Sequence, residues 1–336
     1  MQHAFILGGT GQIGRAVADR LLEEGWRVTL ASRKPQSALD EQPNLRHVIL
    51  DRRDPGAIAL ALGDDADLLL DCIAFNSADA RQLVDVQNSV GTICAISSAS
   101  VYRDDAGRTL DEARSTGFPE MPVPITTTQP TVDPGDATYS TRKVAMERTL
   151  LDHCQIPVTI LRPCAIYGPH CRHAREWFFV KRLLDGRREI PVAYGGMSRF
   201  HTSSVQGIAA AVMASASKTA STVMNVADPA ALTVGEIGLA IMRAMGVQAN
   251  VVGLPDRGYP PNVGVTPWSV AKPFVVAPSD DFESAGSYES LVPTAIRWLI
   301  EATRDRPWRE VLPALAAYPF DLFDYEADER ALRVIR

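Results

Sequence analysis

The sequence predicts an α/β protein: a doubly wound parallel sheet carrying a smaller mixed α/β lobe at its C-terminal end. Three observations lead there. Short β-branched and apolar runs alternate with helix-period patterns through the first half, the mark of strand–helix–strand units covered on both faces. A glycine-rich turn, Gly8-Gly9-Thr10-Gly11-Gln12-Ile13-Gly14, follows the first of those runs directly. A chain of 336 residues, 46% apolar and 22% charged, can also bury the core of one large domain or two intimately joined ones.

Strands are expected at His3–Leu7, Arg27–Ala31, Arg46–Leu50, Asp67–Ile73, Thr92–Ser97 and Val158–Leu161. Helices are expected between them at Gln12–Glu24, Pro55–Leu62, Ala78–Asn88 and Thr138–His153, the last with Val144, Leu150 and Leu151 as its apolar stripe and Asp136 as its N-cap. Short right-handed crossovers then leave a Rossmann-like sheet as the natural topology. The stretch Arg103–Asp136 breaks the rhythm, with prolines at 119, 122, 124, 130 and 134, and reads as a lid loop. Further helices are expected at Arg172–Leu184, Ser204–Ser215, Val234–Met245 and Ser290–Arg304, with a proline-rich connector at Pro255–Pro267. The chain thus divides into a dinucleotide-binding domain at 1–165 and a substrate lobe at 166–336. The two are partly interwoven, since Val223–Val226 can return to the main sheet.

With 34 basic and 40 acidic residues the formal charge is −6, which disfavours a general binder of nucleic acid or anionic membrane while leaving room for a local basic pocket. No run reaches the ~20 apolar residues of a membrane span, and the N-terminus reads as a strand rather than a signal peptide. Five cysteines (72, 94, 154, 164, 171) form an odd, sparse set, consistent with free thiols and a cytoplasmic location.

In the glycine motif, Gly8, Gly11 and Gly14 permit a tight turn and a close approach to an anion. Gln12 and Ile13 open a helix whose N-terminal amides and partial positive charge suit a pyrophosphate. A carboxylate at the end of the second strand would select NAD. This chain has Ala31-Ser32-Arg33-Lys34 there, so Ser32 and Arg33 point to a 2′-phosphate and to NADP in preference to NAD. Tyr139 and Lys143 lie one helical turn apart, where an ammonium can stabilise a phenolate whose ordinary pKa is ~10. Ser98 stands at the carboxyl end of the fifth strand, where a hydroxyl faces the crevice in which such sheets bind ligands. Cys164, His170, Cys171 and His173 cluster within ten positions but match no zinc spacing, so no metal is expected. Arg172, Arg175, Lys181, Arg182, Arg187 and Arg188 form a basic run. The plain reading is the solvated face of an amphipathic helix, and the sharper one is contact with phosphate.

Together with Leu161-Arg162-Pro163, Tyr167-Gly168-Pro169, Met224-Asn225-Val226-Ala227 and Leu232-Thr233-Val234, these motifs resemble the extended short-chain dehydrogenase/reductase superfamily, in particular its NAD-dependent epimerase/dehydratase family. More loosely, Asp71-Cys72-Ile73-Ala74 and Pro267-Trp268-Ser269 are similar to a bacterial branch related to chloroplast stem-loop RNA-binding proteins. The resemblance implies catalytic roles for Ser98, Tyr139 and Lys143, and cofactor contacts from Asp51, Arg52, Ile73, Ala74 and Pro163 besides the glycine motif. It also implies a homodimer formed through Ala78–Asn88 and Thr138–His153. Ser100 and Arg199 are the candidate substrate contacts. The implied reaction is hydride transfer on a polar hydroxyl or keto compound such as a sugar or nucleotide-sugar derivative, by net redox or by epimerisation. Ala99-Ser100 stands where 4,6-dehydratases carry Asp-Glu, which disfavours elimination. Cys164-Ala165 stands where sugar epimerases commonly carry Phe-Asn. A rival reading keeps the fold and the bound NADP but makes the protein a non-catalytic regulator, conceivably RNA-associated.

Overall fold

The computed structural model describes residues 1–35, 43–63, 65–255 and 259–335. In chain order the first half runs β1 (His3–Leu7), α1 (Gln12–Glu23), β2 (Arg27–Ser32), β3 (Leu45–Ile49), α2 (Ala57–Leu62), β4 (Ala66–Asp71), α3 (Ser77–Asp85), β5 (Val90–Ile96), α4 (Ala113–Thr116), α5 (Tyr139–His153) and β6 (Val158–Pro163). The second half continues with β7 (Ala165–Tyr167), α6 (Trp177–Leu184), β8 (Glu189–Val192), β9 (Thr202–Ser204), α7 (Val205–Ser215), β10 (Thr222–Val226), α8 (Val234–Met245) and β11 (Asn250–Gly253). It closes with α9 (Tyr288–Thr303), α10 (Trp308–Val311), α11 (Pro313–Ala316) and α12 (Tyr325–Ile335).

Seven strands form one parallel sheet in the order β10-β6-β5-β4-β1-β2-β3. Strand β1 is buried along its whole length, as a central strand covered by helices on both faces must be, and this is why it reads as a continuous apolar run. Val17 and Leu21 of α1 pack with Ile208 and Val212 of α7 on one face. Leu83 of α3 packs with Met146 and Leu150 of α5 on the other. The order reverses between β1 and β4, which opens a crevice at their carboxyl ends.

Chain beyond residue 165 supplies both α7 and β10 to this sheet, so the two parts are interwoven through 226. The rest of the second half packs around Phe178, Phe179, Ile237, Ile241, Trp268, Val292 and Ile296, with two short parallel pairs, β8–β11 and β7–β9. Part of the expected connector Pro255–Pro267 lies outside the described residues. No described helix is long and apolar enough to cross a membrane.

Four expectations need correction. Thr138, not Asp136, caps α5: its hydroxyl accepts from the Thr141 amide while the Thr141 hydroxyl accepts from the Thr138 amide. Helix α3 ends at Asp85 and passes into a separate 3-10 turn at Gln87–Ser89. Helix α6 starts at Trp177 rather than Arg172, because the chain before it turns, with His170 at φ +63°. The basic run is not a uniformly solvated face. Arg182 is 2% exposed, pairs with Asp328 of α12 at 3.0 Å and lies 3.8 Å over the Phe178 ring. A guanidinium taken out of water needs a counter-ion and an aromatic face, and α12 closes over α6 to supply the first.

Candidate functional site

The glycine motif turns as the spacing requires. Gly8 sits at φ +75°, where a side chain is strained, and an added Cβ would meet Ile73 Cγ2 at 2.6 Å. A Cβ on Gly14 would lie 2.5 Å from the Gly9 Cα, so only glycine lets α1 pack this closely on the turn. Gly11 is the N-cap of α1, and no side chain caps its first-turn amides. Gln12 reaches across the crevice to donate to the Gly168 carbonyl at 3.4 Å.

At the end of β4, the fully buried Asp71 accepts hydrogen bonds from the amides of Ile73 (2.8 Å) and Ala74 (2.7 Å) and from Arg52 Nη1 (2.8 Å). This carboxylate folds the chain into the turn that sets Ile73, 51% exposed, over Gly8. Arg52 is anchored further by Gln82 and by the Asp79 carbonyl. Its guanidinium therefore builds the β4–α3 turn, and its carbonyl accepts from Gln82 Nε2 at 2.8 Å. Asp51 remains at the surface, where hydrogen bonds from Arg53 hold its pKa down to about 2. At the end of β2 the Ser32 hydroxyl donates to the Lys34 carbonyl and meets His47 Nε2 at 2.8 Å, and Arg33 is exposed.

Tyr139, Lys143, Ser98 and Ser100 converge where β5 meets the head of α5. Lys143 is 6% exposed and donates to the carbonyls of Ala74 (2.7 Å) and Ile96 (2.8 Å), 5.9 Å from the centre of the Tyr139 ring. Burial lowers its pKa to about 8, against the pull of Asp71 and Glu147. The Tyr139 pKa is raised, first by desolvation, with the Ser98 hydroxyl opposing the rise and Asp111 adding to it. The expected lowering of the phenol by Lys143 is therefore not the resting arrangement, because the two backbone carbonyls hold the ammonium.

Side chains the sequence did not single out complete the cluster. The Ser140 hydroxyl donates toward Ser100 at 2.9 Å, and its amide donates to the Asp111 carboxylate of the 103–136 segment at 2.7 Å. The 103–136 segment is folded around Asp104, 3% exposed, which accepts from the amides of Ala106, Arg108 and Glu120.

Ser98, Ser100, Tyr139 and Asp111 line a cleft of about 870 Å³ running from Thr10, Gly11 and Gln12 past Pro163 to Phe200 and Tyr318, and the buried Lys143 is not part of its wall. Another groove of about 790 Å³, between α1, α7 and residues 282–285, contains none of the four convergent groups. Arg199 is absent from the cleft lining, because its guanidinium donates to the Ala231 carbonyl at 2.8 Å. The arginines facing the cleft are 15, 114, 172 and 175. His170 and His173 pack their rings on Trp298 and Tyr318.

The family model described as "NAD dependent epimerase/dehydratase family" matches residues 4–227. The chain belongs to that family. No curated protein matches it in sequence, and its structural relatives share the family's fold at low identity. The Bordetella bronchiseptica enzyme WbmH, solved in complex with NAD+, aligns with a TM-score of 0.67 at 19% identity, over 90% of this chain and 99% of that one. A UDP-N-acetylglucosamine 4-epimerase from Methanobrevibacter ruminantium, in complex with UDP-N-acetylmuramic acid, aligns at 0.69 and 18%, over 89% and 98%. A dTDP-glucose 4,6-dehydratase from Bacillus anthracis, in complex with NAD, aligns at 0.66 and 16%, over 93% and 100%.

Proposed function

We propose that this family member is an NAD(P)-dependent enzyme acting on a polar hydroxyl or keto compound such as a sugar or nucleotide-sugar derivative. The observation that carries the reading is that Ser98 and Tyr139 share a cleft with an uncapped glycine turn, while the buried Lys143 ammonium lies 5.9 Å from the centre of the Tyr139 ring. The residues present fit a dinucleotide: a helix N-terminus free of side-chain caps at Gly11, and the small or apolar groups Ile73, Ala74 and Pro163 around the crevice. When bound, a nicotinamide dinucleotide supplies hydride exchange at a carbon bearing the substrate oxygen. The chain's own residues handle the proton. Tyr139 exchanges it with the substrate oxygen, Ser98 orients that oxygen through its hydroxyl, and Lys143 offers a cation beside the phenol.

Tyr139→Phe should lower turnover by roughly 10²- to 10⁴-fold, while titration of nicotinamide fluorescence shows cofactor binding unchanged. The substrate for this assay is drawn from a panel of sugar nucleotides and from the small molecules that copurify with the protein. Undiminished turnover would refute the assignment. Ser32 and the exposed, cationic Arg33 at the end of β2, where no carboxylate stands, favour NADP. Arg33→Ala should weaken NADPH binding about tenfold, as loss of one charge-assisted contact does, and leave NADH untouched. Equal effects on both would count against that preference.

A further inference from the structure

Among the described residues that line the cleft, Asp111 is the only carboxylate. It comes from the 103–136 segment, and two anchors on its N-terminal side fix where it stands. Asp104 is tied to Arg108 twice, its amide donating to the Arg108 carbonyl at 3.1 Å and its carboxylate accepting from Arg108 Nε at 2.8 Å. Leu110 packs with Ala99, Tyr102, Met121 and Phe274, the first two of which belong to the turn after β5. The next residue is thereby delivered to the head of α5.

There the Asp111 carboxylate accepts from the Ser140 amide at 2.7 Å. Tyr139 is the first residue of α5, so this amide belongs to the first turn, whose backbone donors find no partner inside the helix. Thr138 takes the Thr141 amide from within the capping box, and Asp111 takes the Ser140 amide from outside it, where the helix dipole favours a negative charge. Ser140, 1% exposed, carries the tie further, its hydroxyl donating toward the carbonyl and the hydroxyl of Ser100, both at 2.9 Å. The Ser98 hydroxyl donates to Ser100 Oγ at 3.0 Å and accepts from the Ser100 amide at 3.1 Å. A continuous line of hydrogen bonds thus runs from Asp111 through Ser140 and Ser100 to Ser98.

The same carboxylate acts on the phenol. Desolvation is the first cause of the raised Tyr139 pKa, the Ser98 hydroxyl opposes it, and Asp111 adds to it. The other charges near Tyr139 are bound elsewhere or have the opposite sign. On α5, Lys143 is held by two backbone carbonyls, and Arg142 donates to the Asp136 carbonyl at 2.8 Å while lying 5.5 Å over the Phe75 ring, which packs on Tyr139 from the β4–α3 turn. Asp71 and Glu147 pair with Arg52 and Arg162. The cleft wall adds Arg15, Arg114, Arg172 and Arg175 with His170 and His173, all cationic or able to become so.

Resting on the reading of Tyr139 as the proton-exchanging group, we infer that Asp111 is a positioning residue for it, reaching from the 103–136 segment to hold the first turn of α5 and to set a negative charge beside the phenol. Forming a phenolate next to this carboxylate brings two like charges together, so Asp111 favours the neutral phenol. The hydrogen-bond line keeps Ser98 and the helix head on one frame.

The test separates the hold from the charge. Asp111→Asn keeps an acceptor oxygen and loses the charge, whereas Asp111→Ala loses both; the position is exposed, so both variants keep the fold. Fluorine NMR follows the phenol in full-length protein carrying difluorotyrosine at position 139, whose ring fluorines bring the titration below that of an ordinary phenol. The phenol should titrate at lower pH in Asp111→Asn than with Asp111 intact, and roughly 1 M salt, where the screening length falls to about 3 Å, should shrink that difference. Hydrogen exchange at the Ser140 amide should be at least about tenfold faster in Asp111→Ala, as loss of a charge-assisted hydrogen bond requires, and close to wild type in Asp111→Asn. Asp105→Asn, exposed on the same segment, should change neither. A titration in Asp111→Asn that coincides with wild type or moves to higher pH overturns the charge, and unchanged exchange in Asp111→Ala overturns the hold. An equal titration shift in Asp105→Asn overturns the assignment to Asp111. These readouts need neither substrate nor cofactor, so undiminished turnover in Tyr139→Phe would fall on the functional reading alone.

Discussion

Glu147 carries the sharpest energetic prediction. It lies two turns beyond Tyr139 and one beyond Lys143 on α5, is 2% exposed, and accepts hydrogen bonds from the Ser97 hydroxyl and from both Nε (3.0 Å) and Nη2 of Arg162. Arg162 in turn lies 4.9 Å over the Tyr102 ring, whose hydroxyl donates to Asn225, and Asn225 donates to the Ile125 carbonyl. Glu147→Gln keeps the shape but removes the carboxylate charge paired with a buried guanidinium. Breaking one partner of a buried pair costs about 3–5 kcal/mol, and the retained amide oxygen puts this change near ~3 kcal/mol. Unfolding entropy of roughly 2.1 cal/mol/K per residue gives about 0.7 kcal/mol/K for a chain of this length, so the melting temperature should fall by ~4 °C. Circular dichroism melts measure it. Ser97→Ala, which removes one hydroxyl while leaving the ion pair, should cost only ~1 kcal/mol. Coincident melts of Glu147→Gln and wild type would show that the pair contributes nothing net. A drop in Ser97→Ala as large as in Glu147→Gln would show that the hydroxyl, not the charge, matters.

Two further predictions follow from the geometry. Gly14→Ala places a Cβ against the Gly9 backbone, so α1 must shift off the turn. Nicotinamide binding should weaken by at least about tenfold along with a loss of stability, since overpacking costs ~1–3 kcal/mol, and intact affinity would contradict the proposed role of the turn. Burial raises the Glu176 pKa to about 7, with the Tyr288 hydroxyl 3.3 Å from its carboxyl. The unfolded chain loses this proton near its ordinary ~4.5 and the folded one near 7, so the folded state is destabilised progressively as pH rises between those values. The stability of Glu176→Gln relative to wild type should therefore grow between pH 5 and 7 and level off above it, and a difference independent of pH would exclude the titration.

The elements legible in the sequence were those whose geometry is local. The glycine turn, α1, the central strands and the Tyr139–Lys143 spacing each depend on backbone periodicity or on a few neighbouring residues. Even the return of Val223–Val226 to the sheet followed from its apolar run. Local spacing failed where side chains choose partners across the fold. Arg52 was expected at the cofactor and Arg182 on a solvated face or against phosphate, but their guanidiniums pair with Asp71 and Asp328, and Arg199 was expected at the substrate but turns to Ala231.

The amino-acid order by itself determined that a parallel sheet would present a glycine turn, a hydroxyl and a tyrosine–lysine pair at one edge, because strand and helix repeats dictate which residues share a face. Only the tertiary structure decided which charges reach the cleft. The direction of a long arginine or glutamate side chain depends on carboxylates, carbonyls and rings brought from distant segments. Packing placed Arg114 and Arg175 at the opening, drew Arg52 and Arg182 inward, and paired Glu147 with Arg162.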